Sequence, residues 1–406
     1  MKFRYALLLT LAATAVAGAE RRVIFPPDVK VVGPYSPGIM AGDFLYVSGQ
    51  GARRPDGQLP ATFDEQVTQS LENMKTIVEL AGLTMEHVVY THVYLQDMAN
   101  FDAMNRIYAR YFPKNPPARA TVGIVRLPTE TPVEINAVAI RDLSQKKPIV
   151  PAGFKSTAPL TPGILAGDRL YISGMQGRDT DTGKIPDDPA DQVNIAFDRF
   201  HQVLTAAGMD YANVVFVNPY LSGKMPADVM NKIYASHFEF GNTPARATIH
   251  MNSLPHGANI EFTGIAVADL SKRRAVRPKN MKPSPTASPC VFAGDTYYCS
   301  AKSAFIPGPN QGIYAEDVEN QVRQTMRNLL DGLEEAGLDF SNVVASNVYV
   351  DNLDEFAKMN GVYAKYFGPQ PPARTTVAPL PPVERKRDAN DRWPMIEQIS
   401  VIAVAP

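Results

Sequence analysis

Cysteine is scarce in this chain: two in 406 residues, Cys290 and Cys299, and no Cys-x-x-Cys pair. The six histidines are scattered, and no His-x-x-x-His pair falls on a helical pattern. Both absences exclude the common structural and catalytic zinc sets. No glycine-rich phosphate loop follows a strand, which excludes the usual nucleotide cradles. An excess of one charge sign is lacking too. Forty Lys and Arg stand against 41 Asp and Glu, for a net charge of -1, and no basic stripe appears. A nucleic-acid or anionic-membrane partner is therefore not expected.

Long apolar runs are missing beyond the first residues. There, Lys2 and Arg4 precede a short apolar run, Ala6 to Val16. Ala15-Val16-Ala17 and Ala17-Gly18-Ala19 both fit the small-x-small cleavage pattern. Residues 1–19 are expected to be a secretory signal, with cleavage between Ala17 and Ala19; a retained anchor is the alternative. Cleavage removes two positive charges and takes the net charge from -1 to -3. The expectation is a periplasmic or secreted protein, with no membrane contact after cleavage.

What the chain has is repetition. Pro117-Ala118-Arg119-Ala120-Thr121 returns as Pro244-Ala245-Arg246-Ala247-Thr248 and Pro372-Ala373-Arg374-Thr375-Thr376. Ahead of each copy lie Met104-Asn105, Met230-Asn231 and Met359-Asn360. Earlier still stand Ala41-Gly42-Asp43, Ala166-Gly167-Asp168 and Ala293-Gly294-Asp295, each followed by a serine: Ser48, Ser173, Ser300. The chain reads as three units, 31–143, 155–270 and 282–404, joined by short polar stretches around Ser144–Pro148 and Ser271–Arg274. Differences between units then act as an internal experiment.

Within a unit the order reads hairpin, helix, strand, helix, hairpin. The first hairpin turns at Gly42-Asp43. Val67, Leu71, Met74 and Val78 form one apolar stripe on a helix over 64–81, repeated by Val193, Phe197, Phe200 and Leu204 and by Val322, Met326, Leu329 and Leu333. Gly82, Gly208 and Gly337 stand where a left-handed C′ residue ends each helix. A β-branched strand spans 88–95, a second helix 100–112, and two strands lie near 121–125 and 133–140. The fold class is α+β: a mixed sheet with both helices on one face. On the other face Ile135 and Ala137 are expected to alternate with Glu134 and Asn136. A half-apolar open face suggests that the units pack sheet to sheet, closing into a ring within one monomeric chain.

If Gly294-Asp295 is a two-residue turn, Ala293 faces Thr296 and Cys290 faces Cys299, so a cross-strand disulfide is expected. Two buried free thiols are the alternative.

Arg119, Arg246 and Arg374 are retained in three diverging units, which makes arginine the place to look for chemistry. Read from the residues alone, Arg119 and Glu134 form either a site or a structural ion pair, Tyr35 and Ser48 are ordinary sheet residues, and Asn105 serves backbone groups.

Each unit resembles the RidA/YjgF family of enamine and imine deaminases. In the first unit the resemblance rests on Pro34-Tyr35-Ser36, Tyr46-Val47-Ser48-Gly49-Gln50, Gln66 to Asn73 to Gly82, Asn105 to Tyr108, Pro117-Ala118-Arg119, Leu127-Pro128 and Val133-Glu134-Ile135. It covers nearly all of the chain after residue 30, three times. It implies chorismate-mutase-like subunits, normally a homotrimer, with clefts between neighbours; here one chain would form a pseudo-trimer. It implies hydrolysis of a 2-imino acid to a 2-keto acid and ammonia, with no cofactor. Arg119 matches the residue that holds the substrate carboxylate and Glu134 the one that positions water. Tyr35, Ser48, Gly49, Asn105 and Thr121 match pocket positions, Gly49 letting the backbone approach a flat ligand.

The second unit keeps Ser173, Asn231, Arg246, Thr248 and Glu261, with Leu160 for Tyr35. The third keeps Ser300, Asn360, Arg374 and Thr376, with Ala287 for the tyrosine, Ala301 for Gly49 and Gln398 for Glu134. Glutamine can hold water but cannot take its proton. Adjacent Glu397 should face the other way. A charged insertion, Val383 to Arg392, stands ready to cover a cleft. At most one cleft can hold the full residue set. The expectations are an exported imine deaminase or, alternatively, a non-catalytic binder of small keto or amino acids; a purely structural ring is disfavoured by the three arginines.

Overall fold

The computed structural model describes residues 21–156, 158–307 and 312–406. The expected signal segment lies outside them. Among the described residues no helix is long and apolar enough to cross a membrane.

Unit 1 comprises β1 (Arg21–Ile24), β2 (Gly38–Ala41), β3 (Phe44–Gly51), α1 (Phe63–Leu80), β4 (Val88–Leu95), α2 (Phe101–Tyr111), β5 (Ala118–Gly123) and β6 (Val133–Ile140). Unit 2 repeats this with β7 (Lys146–Ile149), β8 (Gly163–Ala166), β9 (Arg169–Gln176), α3 (Pro189–Ala206), β10 (Val214–Leu221), α4 (Ala227–His237), β11 (Ala245–Arg246), β12 (Ile249–His250) and β13 (Ile260–Val267). Unit 3 has β14 (Arg273–Val276), β15 (Cys290–Ala293), β16 (Thr296–Lys302), α5 (Val318–Glu334), β17 (Val343–Val350), α6 (Phe356–Tyr363), β18 (Ala373–Val377) and β19 (Glu397–Val404).

The helices start where side chains can hold free N–H groups. Thr62 and Glu65 make a reciprocal capping box on α1, and Asp188 and Asp317 cap α3 and α5. Gly82, Gly208 and Gly337 follow the helix ends with φ of 83°, 72° and 72°. The apolar stripes Val67–Val78, Val193–Leu204 and Val322–Leu333 are buried against the sheets. The chain is thus α+β, three mixed sheets each with a pair of helices on one face.

Three expectations need correction. The last two strands of a unit are not a hairpin: β5 runs parallel to β4, and β6 lies between β3 and β4. The polar joints are not mere connectors, because β7 and β14 extend the next sheet as edge strands, as β1 does in unit 1. Ile135 and Ala137 lie in the core under the helices rather than on the open face. Glu134, Asn136 and Val138 hold the other face, where Asn136 donates to Thr375 Oγ1 of unit 3 at 2.9 Å.

Those inner faces meet around a pseudo-threefold axis. Tyr46, Tyr171, Val344 and Ala373 share one buried cluster; Tyr94, Tyr220 and Tyr349 share another. The seams repeat one contact. The backbone N–H of Arg119 donates to Ser173 Oγ at 2.9 Å, that of Arg246 to Ser300 Oγ at 2.8 Å, and that of Arg374 to Ser48 Oγ at 2.9 Å. Unit 1 thus abuts unit 2, unit 2 abuts unit 3, and unit 3 returns to unit 1.

Cys290 and Cys299 face each other on β15 and β16 and are disulfide-bonded, with Cα atoms 4.0 Å apart. Glu397 points into the helix-side core, 3% exposed, where Thr325 donates to it. Burial pushes this carboxyl up to about 8. The charged insertion folds on itself and against unit 3, through Arg385 to Asp351 and Glu355, and does not line the clefts described below.

The Glu397 environment generates a stability prediction. Its folded pKa is raised, so its contribution is most favourable below the ordinary carboxylate range and is lost as pH rises toward 8. Glu397→Gln should therefore gain stability over the wild type between pH 5 and pH 8, on the order of 2–4 kcal/mol. Urea unfolding at both pH values measures it; a pH-independent difference would contradict the assignment.

Candidate functional site

Each seam carries a cleft, and each cleft draws on two units. The cleft between units 3 and 1, about 350 Å³, is lined by Arg374, Thr376 and Phe356 of unit 3 and by Tyr35, Gly49 and Glu134 of unit 1. The cleft between units 1 and 2, about 90 Å³, joins Arg119, Thr121 and Phe101 to Leu160, Gly174, Gln176, Arg199 and Glu261. The cleft between units 2 and 3, about 320 Å³, joins Arg246 and Thr248 to Ala287, Ser300, Ala301, Lys302 and Gln398.

Arg119 and Glu134, expected in one site, therefore lie in different clefts. Arg119 shares its cleft with Glu261, and Glu134 shares its cleft with Arg374. The cause is topological. The arginine sits on the sheet's edge strand, β5, β11 or β18, whose outer side abuts the next unit, whereas the glutamate sits on β6 or β13 within the sheet. Likewise Ser173 and Glu261 face the first unit, while Asn231, Arg246 and Thr248 face the third. Ser300 and Gln398 meet the second unit, and Asn360, Arg374 and Thr376 meet the first.

The arginines are built alike. Asn105, Asn231 and Asn360 accept from the guanidinium groups of Arg119, Arg246 and Arg374 at 2.7, 2.7 and 2.8 Å. Tyr108, Tyr234 and Tyr363 lie under the guanidinium carbons at 4.8, 4.8 and 5.0 Å. Amide and ring fix the plane of each fork and leave its remaining N–H groups for a ligand. Arg119 is 2% exposed and its Nε has no partner among the described residues. The buried hydroxyls of Thr121, Thr248 and Thr376, one per cleft, also lack protein partners. Such orphaned donors beside a fixed cation describe an anion-binding wall.

Burial dominates the carboxyl groups opposite. Glu134 is pushed up to about 8, with Arg374 pulling the other way. Glu261 is pushed up to about 7, moderated by the hydrogen bond from Gln176 at 2.9 Å and by the Arg119 and Arg199 charges. Tyr35, in the cleft with Glu134, is raised by burial and by that carboxylate. It is the one cleft with tyrosine, arginine and glutamate together.

Gly49 lines its cleft and leaves room for a side chain of its own sheet. A Cβ built there would overlap Glu134 Oε1, and one on Gly174 would overlap Glu261 Oε1. Each glycine makes room for the carboxylate of its own sheet. Unit 3 has Ala301 instead, and Gln398, whose amide turns to Met395 Sδ at 3.1 Å. Glu134, Glu261 and Gln398 hold equivalent registers, paired with Tyr94, Tyr220 and Tyr349. The serines also tie the seams together. Ser48, Ser173 and Ser300 each accept an arginine N–H and donate to a carbonyl of their own unit at 2.6 Å, so they bind the seam. Sequence reading missed Gln176, Arg199 and Lys302. For Arg199 the signal was present: it replaces an asparagine of the other two units. Among the described residues no group of three or more His, Cys, Asp or Glu is placed to hold a metal ion.

The sequence model described as Endoribonuclease L-PSP matches residues 27–141, 151–268 and 279–382. A RutC family protein of Saccharolobus solfataricus is 41% identical over 122 residues, 29% of this chain and 97% of that one. The 2-iminobutanoate/2-iminopropanoate deaminase of Escherichia coli K12 is 39% identical over 114 residues, 27% of this chain and 89% of that one. The crystal structure of the Escherichia coli YjgF gene product has 36% identity, covers 30% of this chain and 99% of that one, and has a TM-score of 0.29. With the family model matched three times over most of its length, the chain belongs to the RidA/YjgF (Endoribonuclease L-PSP) family as three tandem copies.

Proposed function

We propose that the protein is a hydrolase acting on C=N bonds, converting small 2-imino acids to 2-keto acids and ammonia. One observation carries this reading: in two clefts a pre-oriented arginine of one unit faces a buried glutamate of the next. The deaminase name of the Escherichia coli relative supports the substrate class.

The chemistry follows from the placement. The guanidinium pairs with the substrate carboxylate and so fixes the adjacent C=N carbon. Water attacks that carbon as the glutamate takes its proton and passes it to the imine nitrogen, giving a neutral tetrahedral carbinolamine. The carboxylate then relays the carbinolamine hydroxyl proton to the amine nitrogen as the C–N bond breaks, so that ammonia and the 2-keto acid leave and the glutamate is ionised again. A carboxyl group near 7 or 8 suits both directions of transfer at neutral pH. The cleft between units 2 and 3 has the arginine but no proton acceptor at the glutamate position. It fits the second reading, binding of a small keto or amino acid without turnover.

The chain acts as a monomeric pseudo-trimer, a reading supported by three seams closed within one chain. It is exported; the residue pattern of 1–19 and the disulfide both favour an oxidising compartment. Light scattering on the mature chain should give the mass of one chain; a trimer of full chains would contradict it.

Ammonia release from a freshly generated imino acid tests the activity. Because two clefts carry a glutamate, Glu134→Gln alone should leave the share of the other cleft, whereas Glu134→Gln with Glu261→Gln should lose ~10²-fold or more. Undiminished turnover in the double variant would reject the mechanism. The pH dependence separates the clefts. A base works deprotonated, so kcat/KM should rise with pH, with a midpoint near 8 in Glu261→Gln and near 7 in Glu134→Gln.

The glycine–glutamate contact makes a further prediction. Gln398→Glu alone should restore no turnover to the third cleft, because the Ala301 Cβ holds the carboxylate's place. Ala301→Gly with Gln398→Glu, in the Glu134→Gln, Glu261→Gln background, should restore it at least tenfold above that background. Equal rates with and without Ala301→Gly would show that the contact does not matter.

A further inference from the structure

Arg199 breaks the pattern of the three units. It lies on α3 at the position held by Asn73 on α1 and Asn328 on α5, counting each from its N-cap, Asp188, Thr62 or Asp317. The two asparagines brace the loop after the second strand of their hairpins. Asn73 donates to the carbonyls of Gly51 and Arg53 at 3.0 and 2.8 Å, and Asn328 to those of Ser303 and Phe305 at 2.8 and 2.9 Å. Arg199 makes no such bonds. Its guanidinium carbon lies over the Phe154 ring at 5.2 Å, and the side chain lines the cleft that holds Arg119 and Glu261.

The charge balance of that cleft is unusual. Of its other cations, Lys155 is paired with Asp181 at 2.7 Å and Arg178 donates to the Gly183 carbonyl at 3.0 Å. Among the described residues Arg199 has no hydrogen-bond or ion-pair partner. Three guanidinium groups, Arg119, Arg178 and Arg199, thus line the cleft with one carboxyl group, Glu261, which burial drives toward its neutral form. Partly buried cations without counter-ions are costly unless a ligand supplies the anion. Stacking on Phe154 holds the second fork in place before the ligand arrives. The cleft between units 3 and 1 has neutral Asn73 where this one has Arg199, and it is roomier, at about 350 against about 90 Å³.

We propose that the cleft between units 1 and 2 is specific for short 2-imino and 2-keto acids bearing a second carboxylate, with Arg119 on the α-carboxylate and Arg199 on the distal one. This rests on the reading above that Arg119 holds a substrate carboxylate. It divides the labour of the chain: monocarboxylic substrates enter the tyrosine-bearing cleft, and dicarboxylic substrates enter this one. The class of reaction that must supply the latter is two-electron oxidation of an acidic α-amino acid, or α,β-elimination from one that carries a leaving group on its β-carbon.

Calorimetry on the full chain with oxaloacetate, 2-ketoglutarate and pyruvate tests it independently of turnover. The wild type should bind one dicarboxylic keto acid per chain at least tenfold more tightly than pyruvate, and Arg119→Ala should abolish that site. Arg199→Asn, which installs the residue that units 1 and 3 already tolerate, should lower the ratio of dicarboxylic to monocarboxylic affinity at least tenfold; Arg199→Lys should recover part of it. A ratio unchanged by Arg199→Asn, with native circular dichroism, would overturn the proposal. So would dicarboxylate binding that survives Arg119→Ala. Ammonia release from a monocarboxylic imino acid tests the deaminase reading separately, since that reading stands whatever the ratio proves to be.

Discussion

An edge strand cannot be left bare. In each unit the strand that carries the arginine has one neighbour within its sheet, and its outward N–H groups need acceptors. The next unit supplies them. A serine hydroxyl accepts from the arginine N–H at every seam, and Gly123 N–H donates to the Ser253 carbonyl at 2.8 Å. This requirement sets the order of the ring, buries the arginine, and at two of the three seams puts it opposite the neighbour's glutamate. The clefts follow from the way the sheets satisfy their edges.

Much of the fold was legible because it repeats. The helix stripes, the C′ glycines and the cross-strand cysteines rest on local periodicity, and three copies exposed each pattern. The register that aligns Gln398 with Glu134 was readable too, since a strand's alternation carries it. The side of the sheet facing solvent was not. These sheets are covered by helices on one face and by neighbouring units on the other, so apolar residues occupy both faces and alternation loses its polarity. That is why Ile135 and Ala137 were misplaced. The partner of each arginine was equally hidden, because which unit abuts an edge strand is a long-range fact. Two signals were available between the copies. Glycine and glutamate change together, to Ala301 and Gln398, and Arg199 stands alone among asparagines.

The electrostatics of the clefts rest on burial more than on charge pairing. Glu134 and Glu261 are raised despite nearby guanidinium groups, because loss of water outweighs the attraction. Glu397 shows the same effect without any cation, deep under α5. A raised carboxyl group is therefore no mark of a site in this fold. What separates the cleft glutamates from Glu397 is what they face: an arginine fork and open volume in one case, Thr325 and packed side chains in the other.

The overlap between a Cβ on strand β3 or β9 and the glutamate beside it also orders events in time. From a unit with glycine and glutamate, the glutamate can be lost first at little steric cost, after which alanine at the glycine position meets no opposition. The return path is not the mirror image. A glutamate regained while alanine is present has no room for its carboxylate, so alanine must revert first, in a background where that reversion confers nothing. Unit 3, with Ala301 and Gln398, stands on the far side of this step. The steric exclusion makes the loss of a carboxylate easier to undergo than to reverse.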